Sequence, residues 1–559
     1  MKGIAIGVDD FKNLRSEDSY FVDKSLFIQE LLNDHAEVIL FPRPRRFGKT
    51  LNMSMLKYFF THENAIENRQ LFNGLAIEKT ELFEKHQGKY PVIFLSLKSC
   101  KGNNFEMIFK KASEVISATY QSYEELSTSP LLAAHEKEII QRIIEQKADI
   151  AELTSSLKLL SDYLFKIHQK KVIILIDEYD TLIHEAYLNG FYDTAIDFLK
   201  TLLGNALKGN YNLQKAVITG ILRISKESMF SDLNNMKVYS VLSEKHNKAF
   251  GFTQNEIDQL LKDYHLENQS ENVKKWYDGY YFGNHDIYNP WSILNFIDEK
   301  GRFNNYWINT SSNDLVHSFI RKSDQTVKQK IGMLINNDEV FSIIDENISF
   351  KNIDTSAETI ISFFLQTGYL KAKYVGKERL KNNYKIEIPN NELRIIYQDV
   401  IQKWFDDTVG SSDLNEMLKA LTNGDIALFN RILSKFMSES LSYFNLPKKT
   451  KDVERIYQAF LLGILISLRD EYEITSEKES GYGRYDIAIV PKDKSKKAII
   501  MELKTIDDFN GDTIDQTLDS ALKQIEDRNY EAAVRQQGCQ NIMKIAITFD
   551  GKRVWTKVK

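Results

Sequence analysis

Two cysteines in 559 residues are too few for a disulfide framework. Cys100 and Cys539 are also far apart and form no CxxC pair, which argues against a zinc site and for a reducing compartment. Proline is scarce at 8 residues, so long polyproline linkers are excluded and structured segments should join the domains. Neither sign of charge dominates: 73 Lys and Arg against 78 Asp and Glu leave a formal net charge of -5. That total does not advertise nucleic-acid binding, although a local basic groove matters more than the sum. A charged-then-apolar signal pattern is missing from the N-terminus. So is any apolar run long enough to cross a bilayer; Phe460-Leu461-Leu462-Gly463-Ile464-Leu465-Ile466 is too short and reads as a buried core helix. No membrane partner and a cytoplasmic location are therefore expected. Repeats and low-complexity tracts are absent as well.

What is present is a folding composition, 43% hydrophobic with 12% aromatic residues, on a chain long enough for two to four domains. Short apolar runs alternate with amphipathic stretches in the first part. Glu37–Phe41, Pro91–Leu97, Lys171–Ile176 and Ala216–Gly220 read as strands buried on both faces, which predicts a parallel α/β sheet over residues 1–250. From about Thr253 to Tyr443 the pattern turns to helices rich in Asp, Lys and aromatics, with short extended pieces such as Lys385–Pro389. A mostly helical middle region, 251–443, is expected there. Pro447–Lys451 reads as a surface connection. A second α/β unit, 444–559, follows, with a helix over Val453–Leu468, strands near Tyr485–Val490, Ala498–Leu503 and Lys544–Thr548, and a helix around Thr517–Tyr530.

Directly after the first strand stands Arg43-Pro44-Arg45-Arg46-Phe47-Gly48-Lys49-Thr50, followed by a helical pattern. Strand, loop ending in Gly-Lys-Thr, helix is the context of a P-loop, whose backbone N–H groups cradle phosphates at a helix N-terminus. Arg46 and Gly48 would belong to that cradle, Lys49 would reach the β- and γ-phosphates, and the Thr50 hydroxyl would ligate Mg²⁺. Arg43 occupies the place of the usual first glycine, and Pro44 restricts the backbone further. The strand ending at Ile176 runs into Asp177-Glu178-Tyr179-Asp180, where Asp177 is placed to hold Mg²⁺ through water and Glu178 to orient an attacking water. Thr219, at the end of another strand, is a candidate γ-phosphate sensor. Arg223 serves equally as a phosphate contact or a structural ion pair. The bland alternative is a glycine turn and a solvated acidic strand end.

The C-terminal unit carries Gly483-Arg484-Tyr485-Asp486-Ile487-Ala488-Ile489-Val490 and then Ala498-Ile499-Ile500-Met501-Glu502-Leu503-Lys504. Glu502 and Lys504 are two apart on a strand and share a face. Phosphodiester hydrolysis calls for a divalent cation, and the hard oxygens of Asp486 and Glu502 suit Mg²⁺ or Mn²⁺, with the Leu503 carbonyl as a further ligand. Lys504 would orient the attacking water and offset charge in the transition state. The alternative is a surface salt bridge between adjacent strands.

The long strings Asp10–Arg15 with Val22–Ser25, Arg43–Thr50, Arg223–Ser228, Trp276–Tyr280, Ile287–Trp291 and Tyr306–Asn313 resemble those of bacterial AAA-ATPase-like proteins that carry a C-terminal PD-(D/E)XK nuclease-like domain. Arg-Pro-Arg-Arg-Phe-Gly-Lys looks like that family's own P-loop form. The resemblance implies a P-loop NTPase domain, a helical region and a restriction-endonuclease-like α/β domain, with ATP and Mg²⁺ as cofactors. It also implies ATP-coupled, metal-dependent cleavage of nucleic acid, DNA first, in a setting of defence against foreign DNA. Within it Glu454 matches an upstream supporting acid, and Gln524 a substrate or water contact. Arg484 is a weaker phosphate candidate. A different class of function stays open: a nucleotide-dependent regulatory or assembly protein whose C-terminal domain binds nucleic acid without cutting it. A homo-oligomer also stays open. The aromatic block Trp276–Trp291 invites a base-stacking role, but such residues among helices more often build cores.

Overall fold

In the computed structural model the described residues are 2–222, 235–307, 319–320, 325–335, 339–348, 350–353, 356–378, 381–397, 399, 411–440, 457–458, 461–462, 464–468, 471–476, 479–480, 483–506, 513–551 and 553–559. They fall into two compact units. One comprises Met1–Thr310 with Phe341–Glu392, the other Ser311–Val340 with Leu393–Lys559.

The first unit is built on five strands: β1 (Val38–Pro42), β2 (Val92–Ser96), β3 (Val172–Asp177), β4 (Leu213–Gly220) and β5 (Met236–Val238). Every neighbouring pair is parallel, in the order β2-β3-β4-β1-β5. β1 and β3 are buried along their whole length, as their unbroken Val-Ile-Leu runs require when helices cover both faces. Two long helices with side-chain N-caps lie between β2 and β3. Asn104 accepts from Met107 N to start Phe105–Gln121, and Asp149 accepts from Glu152 N to start Ile150–His168. Because β4 lies between β1 and β3, the three loops that leave their C-terminal ends meet at one edge of the sheet.

The stretch expected to be mostly helical also holds two small sheets. β6 (Phe252–Thr253), β7 (Tyr280–Phe282) and β8 (His285–Tyr288) form one antiparallel sheet, in the order β6-β8-β7. β9 (Val340–Ile343), β10 (Lys371–Glu378) and β11 (Lys381–Glu387) form the other, in the order β10-β11-β9. Most of these strands are too short for a two-residue alternation to register in the sequence. The aromatic block is packing: Tyr277 and Tyr288 are fully buried in a cluster with Ile257, Val273, Ile293 and Phe296, and Trp276 and Trp291 lie against it.

The second unit has a mixed sheet, β12 (Tyr472–Ser476), β15 (Ile487–Pro491), β16 (Ala498–Thr505), β17 (Ile542–Asp550) and β18 (Arg553–Val558), in that order. A short ribbon, β13 (Glu479–Ser480) with β14 (Gly483–Arg484), stands apart from it. β16 and β17 are parallel, and the other pairs are antiparallel. Residues alternate between two cores. Ile487, Ile499, Met501 and Leu503 pack with Met417, Leu421 and Phe436 of the helices Ser411–Asn423 and Ile426–Ser440. Ala488, Ala498 and Ile500 pack on the opposite face with Leu518, Ala521 and Ile525 of the helix Ile514–Asp527. Among the described residues no helix is long and apolar enough to cross a membrane.

Candidate functional site

The helix that follows β1 runs from Lys49 to Phe60, and Gly48 caps it at φ +79°. A Cβ on Gly48 would meet nothing within 4 Å, so it is the left-handed backbone and not crowding that calls for glycine there. The Lys49 ammonium is buried and donates to the carbonyls of Arg43 at 3.1 Å and Pro44 at 2.9 Å. Burial pulls it below the ordinary lysine value, and Glu178, Asp180 and Asp177 oppose that shift. Lys49 thus spans the loop and faces the acidic end of β3.

Arg43 does not face the loop's mouth. Its side chain is fully buried, donating to the carbonyls of Pro42 (2.9 Å), Tyr239 (2.6 Å) and His246 (3.3 Å), and its guanidinium lies 5.2 Å from the Phe250 ring and 5.4 Å from Phe282. It is a strut that ties the loop to the strand Met236–Val238 and the segment behind it. The missing glycine is thereby explained, since position 43 uses its side chain inward. Arg46 sits at φ +69°, exposed, with its guanidinium 4.0 Å from the Trp291 ring centre.

Across the loop, Asp177 is fully buried at the end of β3. Its Oδ1 accepts from the Thr219 hydroxyl, and the Thr50 hydroxyl acts on the same carboxyl. Oδ2 is buried with no hydrogen bond of normal geometry. Burial raises this carboxyl above its ordinary value, and the Thr219 and Thr50 hydroxyls lower it. Glu178 is half-buried at φ +51°, a backbone state that costs a non-glycine residue about 1–2 kcal/mol. The chain therefore brings Lys49, Thr50, Asp177, Glu178 and Thr219 to one place. A buried carboxylate oxygen without a bond, beside a helix-start hydroxyl, is a donor set that fits Mg²⁺.

Three residues that chemistry did not single out hold this edge together. Asp180 is buried and accepts from Ile221 N (2.7 Å) and Leu222 N (3.0 Å), and the Tyr179 hydroxyl donates to the Leu222 carbonyl at 2.6 Å. Gly220 sits beneath both, and its carbonyl accepts from Arg43 N at 2.9 Å. These contacts latch the end of β4 to the start of the P-loop and the end of β3. Arg223, the next residue along, lies outside the described residues.

In the second unit, Asp486 Oδ2 accepts from Leu503 N at 2.6 Å, which pins the carboxyl from the start of β15 beside β16. Glu502 is 1% exposed and Lys504 is half-buried. They share the sheet face of Ile500, and their charged ends are 3.3 Å apart. Gln524, on the helix Ile514–Asp527, donates to Glu502 Oε1 and lies 3.2 Å from the Tyr530 hydroxyl. Leu503 turns its side chain into the opposite core, opposite Ile547 of β17. Two partners escaped the sequence reading. Tyr530 is buried within reach of the charges on Glu502 and Asp486, and Gln458 donates to the Asp486 carbonyl at 2.9 Å. Glu454 lies outside the described residues. Two acids and a lysine drawn from adjacent strands, one acid wholly buried, form a hard-oxygen set suited to Mg²⁺ or Mn²⁺.

Two stretches of the chain match described families. Residues 5–230 match the family model described as "Predicted AAA-ATPase", and residues 452–559 match that of the PD-(D/E)XK nuclease superfamily. A protein of Azotobacter chroococcum mcd 1, described as an uncharacterized protein in the vnfD 5′ region, is 24% identical over 395 residues, which cover 70% of this chain and 68% of that one. Among solved structures, the Aeropyrum pernix ORC1 protein in complex with DNA aligns over 68% of this chain and 90% of its own, at 11% identity and a TM-score of 0.21, a likeness too slight to argue from. The chain joins an AAA-ATPase-like N-terminal domain to a C-terminal domain of the PD-(D/E)XK nuclease superfamily.

Proposed function

We propose that the N-terminal unit binds ATP with Mg²⁺ and hydrolyses it, and that the C-terminal site cuts phosphodiester bonds in nucleic acid, with DNA as the first substrate. In the first site the backbone from Arg46 to Thr50 receives the phosphates, and Lys49 exchanges its loop carbonyls for them. Thr50 and Asp177 hold the cation, Glu178 orients water, and Thr219 reads the γ-phosphate beside Asp177. Arg46 reaches the phosphates only by leaving the Trp291 ring.

In the second site Asp486, Glu502 and the Leu503 carbonyl hold Mg²⁺ or Mn²⁺. When bound, that cation supplies charge to the phosphate and acidity to its water. Lys504 orients the attacking oxygen and offsets the charge that develops on phosphorus. Gln524 fixes the Glu502 carboxylate, itself held by Tyr530, and Glu454 is the upstream acid. The convergence of Asp486, Glu502, Lys504 and Gln524 on one sheet face carries this reading, because burying Glu502 costs several kcal/mol unless a cation or donors compensate. ATP turnover gates cleavage, and defence against foreign DNA in the cytoplasm is the setting that the resemblance implies.

The test incubates plasmid, single-stranded DNA and RNA with Mg²⁺ or Mn²⁺, with and without ATP. Wild type should cut, Lys504→Ala should not, and Lys49→Ala should lose ATP binding together with the ATP dependence of cutting. Retention of DNA by wild type with no cleavage under any of these conditions would replace the nuclease with the binding-only alternative.

A further inference from the structure

At the opposite edge of the parallel sheet from the P-loop, three side chains from three elements converge. His62 follows the P-loop helix Lys49–Phe60, whose 12 residues place it about 18 Å from that loop. Glu125 opens the short helix Glu125–Thr128, and His168 ends the helix Ile150–His168. One ligand atom from each lies within 4.8 Å of the other two. We propose that His62, Glu125 and His168 form a binding site for a zinc-class divalent cation.

Each part of the geometry favours that reading over a plain ion pair. Zinc takes imidazole nitrogen and carboxylate oxygen at about 2.0–2.2 Å, so tetrahedral ligand atoms stand roughly 3.3 Å apart. His168 Nε2 and Glu125 Oε1 are already 3.1 Å apart. The two sides that His62 makes are each no longer than 4.8 Å, so closing them asks for a movement of at most about 1.5 Å, within reach of a side-chain adjustment. The His62 and His168 rings are edge to face at 4.3 Å between centroids. His62 Nδ1 is buried without a hydrogen bond, so an ion pair between His168 and Glu125 alone leaves it unsatisfied.

His62 is anchored by its backbone N–H to the Tyr90 carbonyl at 2.9 Å, which fixes where the residue leaves the end of the helix. The nitrogen ligands distinguish this site from the two all-oxygen sites already described, and select Zn²⁺ over Mg²⁺.

The position gives the cation a mechanical role. His62 ends the helix that carries Lys49 and Thr50, and His168 stands four residues before β3, which ends at Asp177. A cation here clamps together the two elements that bear the two halves of the nucleotide site. The site itself does not depend on what that edge of the sheet binds or hydrolyses.

The experiment titrates the full-length, EDTA-treated chain with Zn²⁺ and with Co²⁺ as a spectroscopic probe. Excess Mg²⁺ is present to fill hard-oxygen sites while competing poorly for imidazole. Wild type should take up one equivalent of each and develop the visible Co²⁺ band of a low-symmetry nitrogen-containing site. His62→Gln and His168→Gln should each weaken Co²⁺ binding by at least about tenfold and abolish the band. Glu125→Gln, at a partly exposed helix start, covers the case in which a histidine variant folds poorly. It should also remove the rise in melting temperature that Zn²⁺ gives wild type. Absence of Zn²⁺ and Co²⁺ uptake by wild type would overturn the site, and so would uptake that survives all three substitutions.

Discussion

Gly220→Ala adds a single methyl group and removes no chemistry, yet it should disable the nucleotide site. A Cβ at this position would lie 2.5 Å from Tyr179 Cε1, 2.7 Å from Tyr179 Cδ1 and 2.8 Å from Asp180 Oδ1. Normal carbon contacts begin near 3.5 Å, so the ring must retreat by about 1 Å. Tyr179 is fully buried and cannot swing out to solvent. Its retreat lengthens the 2.6 Å bond to the Leu222 carbonyl, and displacing Asp180 loosens its hold on Ile221 N and Leu222 N. Overpacking costs about 1–3 kcal/mol, and one weakened hydrogen bond adds about 1 kcal/mol. The expected loss is therefore about 2–4 kcal/mol in the first unit. It falls on the segment that pairs with Arg43 and Tyr179, so ATP affinity should drop at least tenfold although Lys49, Thr50 and Asp177 are intact. Thermal unfolding of the full chain reads the first number, with the transition of this unit identified by its shift on adding nucleotide. Equilibrium binding of a fluorescent ATP analogue reads the second. A melting change equivalent to less than about 0.5 kcal/mol, with unchanged affinity, would refute the latch.

Restoring the usual P-loop glycine should harm the protein: Arg43→Gly strips three backbone carbonyls of their donor and empties a buried site, at a cost of about 3–5 kcal/mol, visible as loss of soluble protein or a large fall in melting temperature. Glu392 should make stability depend on pH. Burial raises its carboxyl from 4.5 to about 7, against bonds from Trp307 N and Ser292. Between those values the folded state binds more protons than the unfolded one, so stability falls as pH rises from about 4.5 to about 7, by up to ~3 kcal/mol. Glu392→Gln cannot ionise and should flatten that part of the melting profile; an unchanged slope would assign the effect elsewhere. Gln524→Ala should leave the fold intact but release the Glu502 carboxylate, lowering cleavage by about 10–100-fold and raising the Mg²⁺ concentration needed. Equal cleavage at limiting Mg²⁺ would remove Gln524 from the site.

Much of this protein is decided by local sequence. Unbroken Val-Ile-Leu runs in β1 and β3 cannot be exposed on either face, so they imply a parallel sheet between helices before any coordinates exist. Gly48-Lys49-Thr50 and Asp177-Glu178 stand at strand ends, where backbone geometry gathers ligands. The two-residue spacing of Glu502 and Lys504 forces them onto one face of β16. Tertiary structure decided what depends on partners distant in the chain. Arg43 reads as a defect in the loop until Tyr239 and His246 arrive to accept from it. Gly220 reads as an ordinary strand end until Tyr179 and Asp180 close over it. The strands of two to four residues between Phe252 and Ile343 carry too few residues for a period to show, and only pairing makes them sheets. His62, Glu125 and His168 share no motif spacing and meet only because a helix, a turn and a second helix end at the same edge of the sheet. Periodicity records which face of an element is buried. It cannot record which other element buries it, and in this chain the latch at Gly220 and the strut at Arg43 lie in that second kind of information.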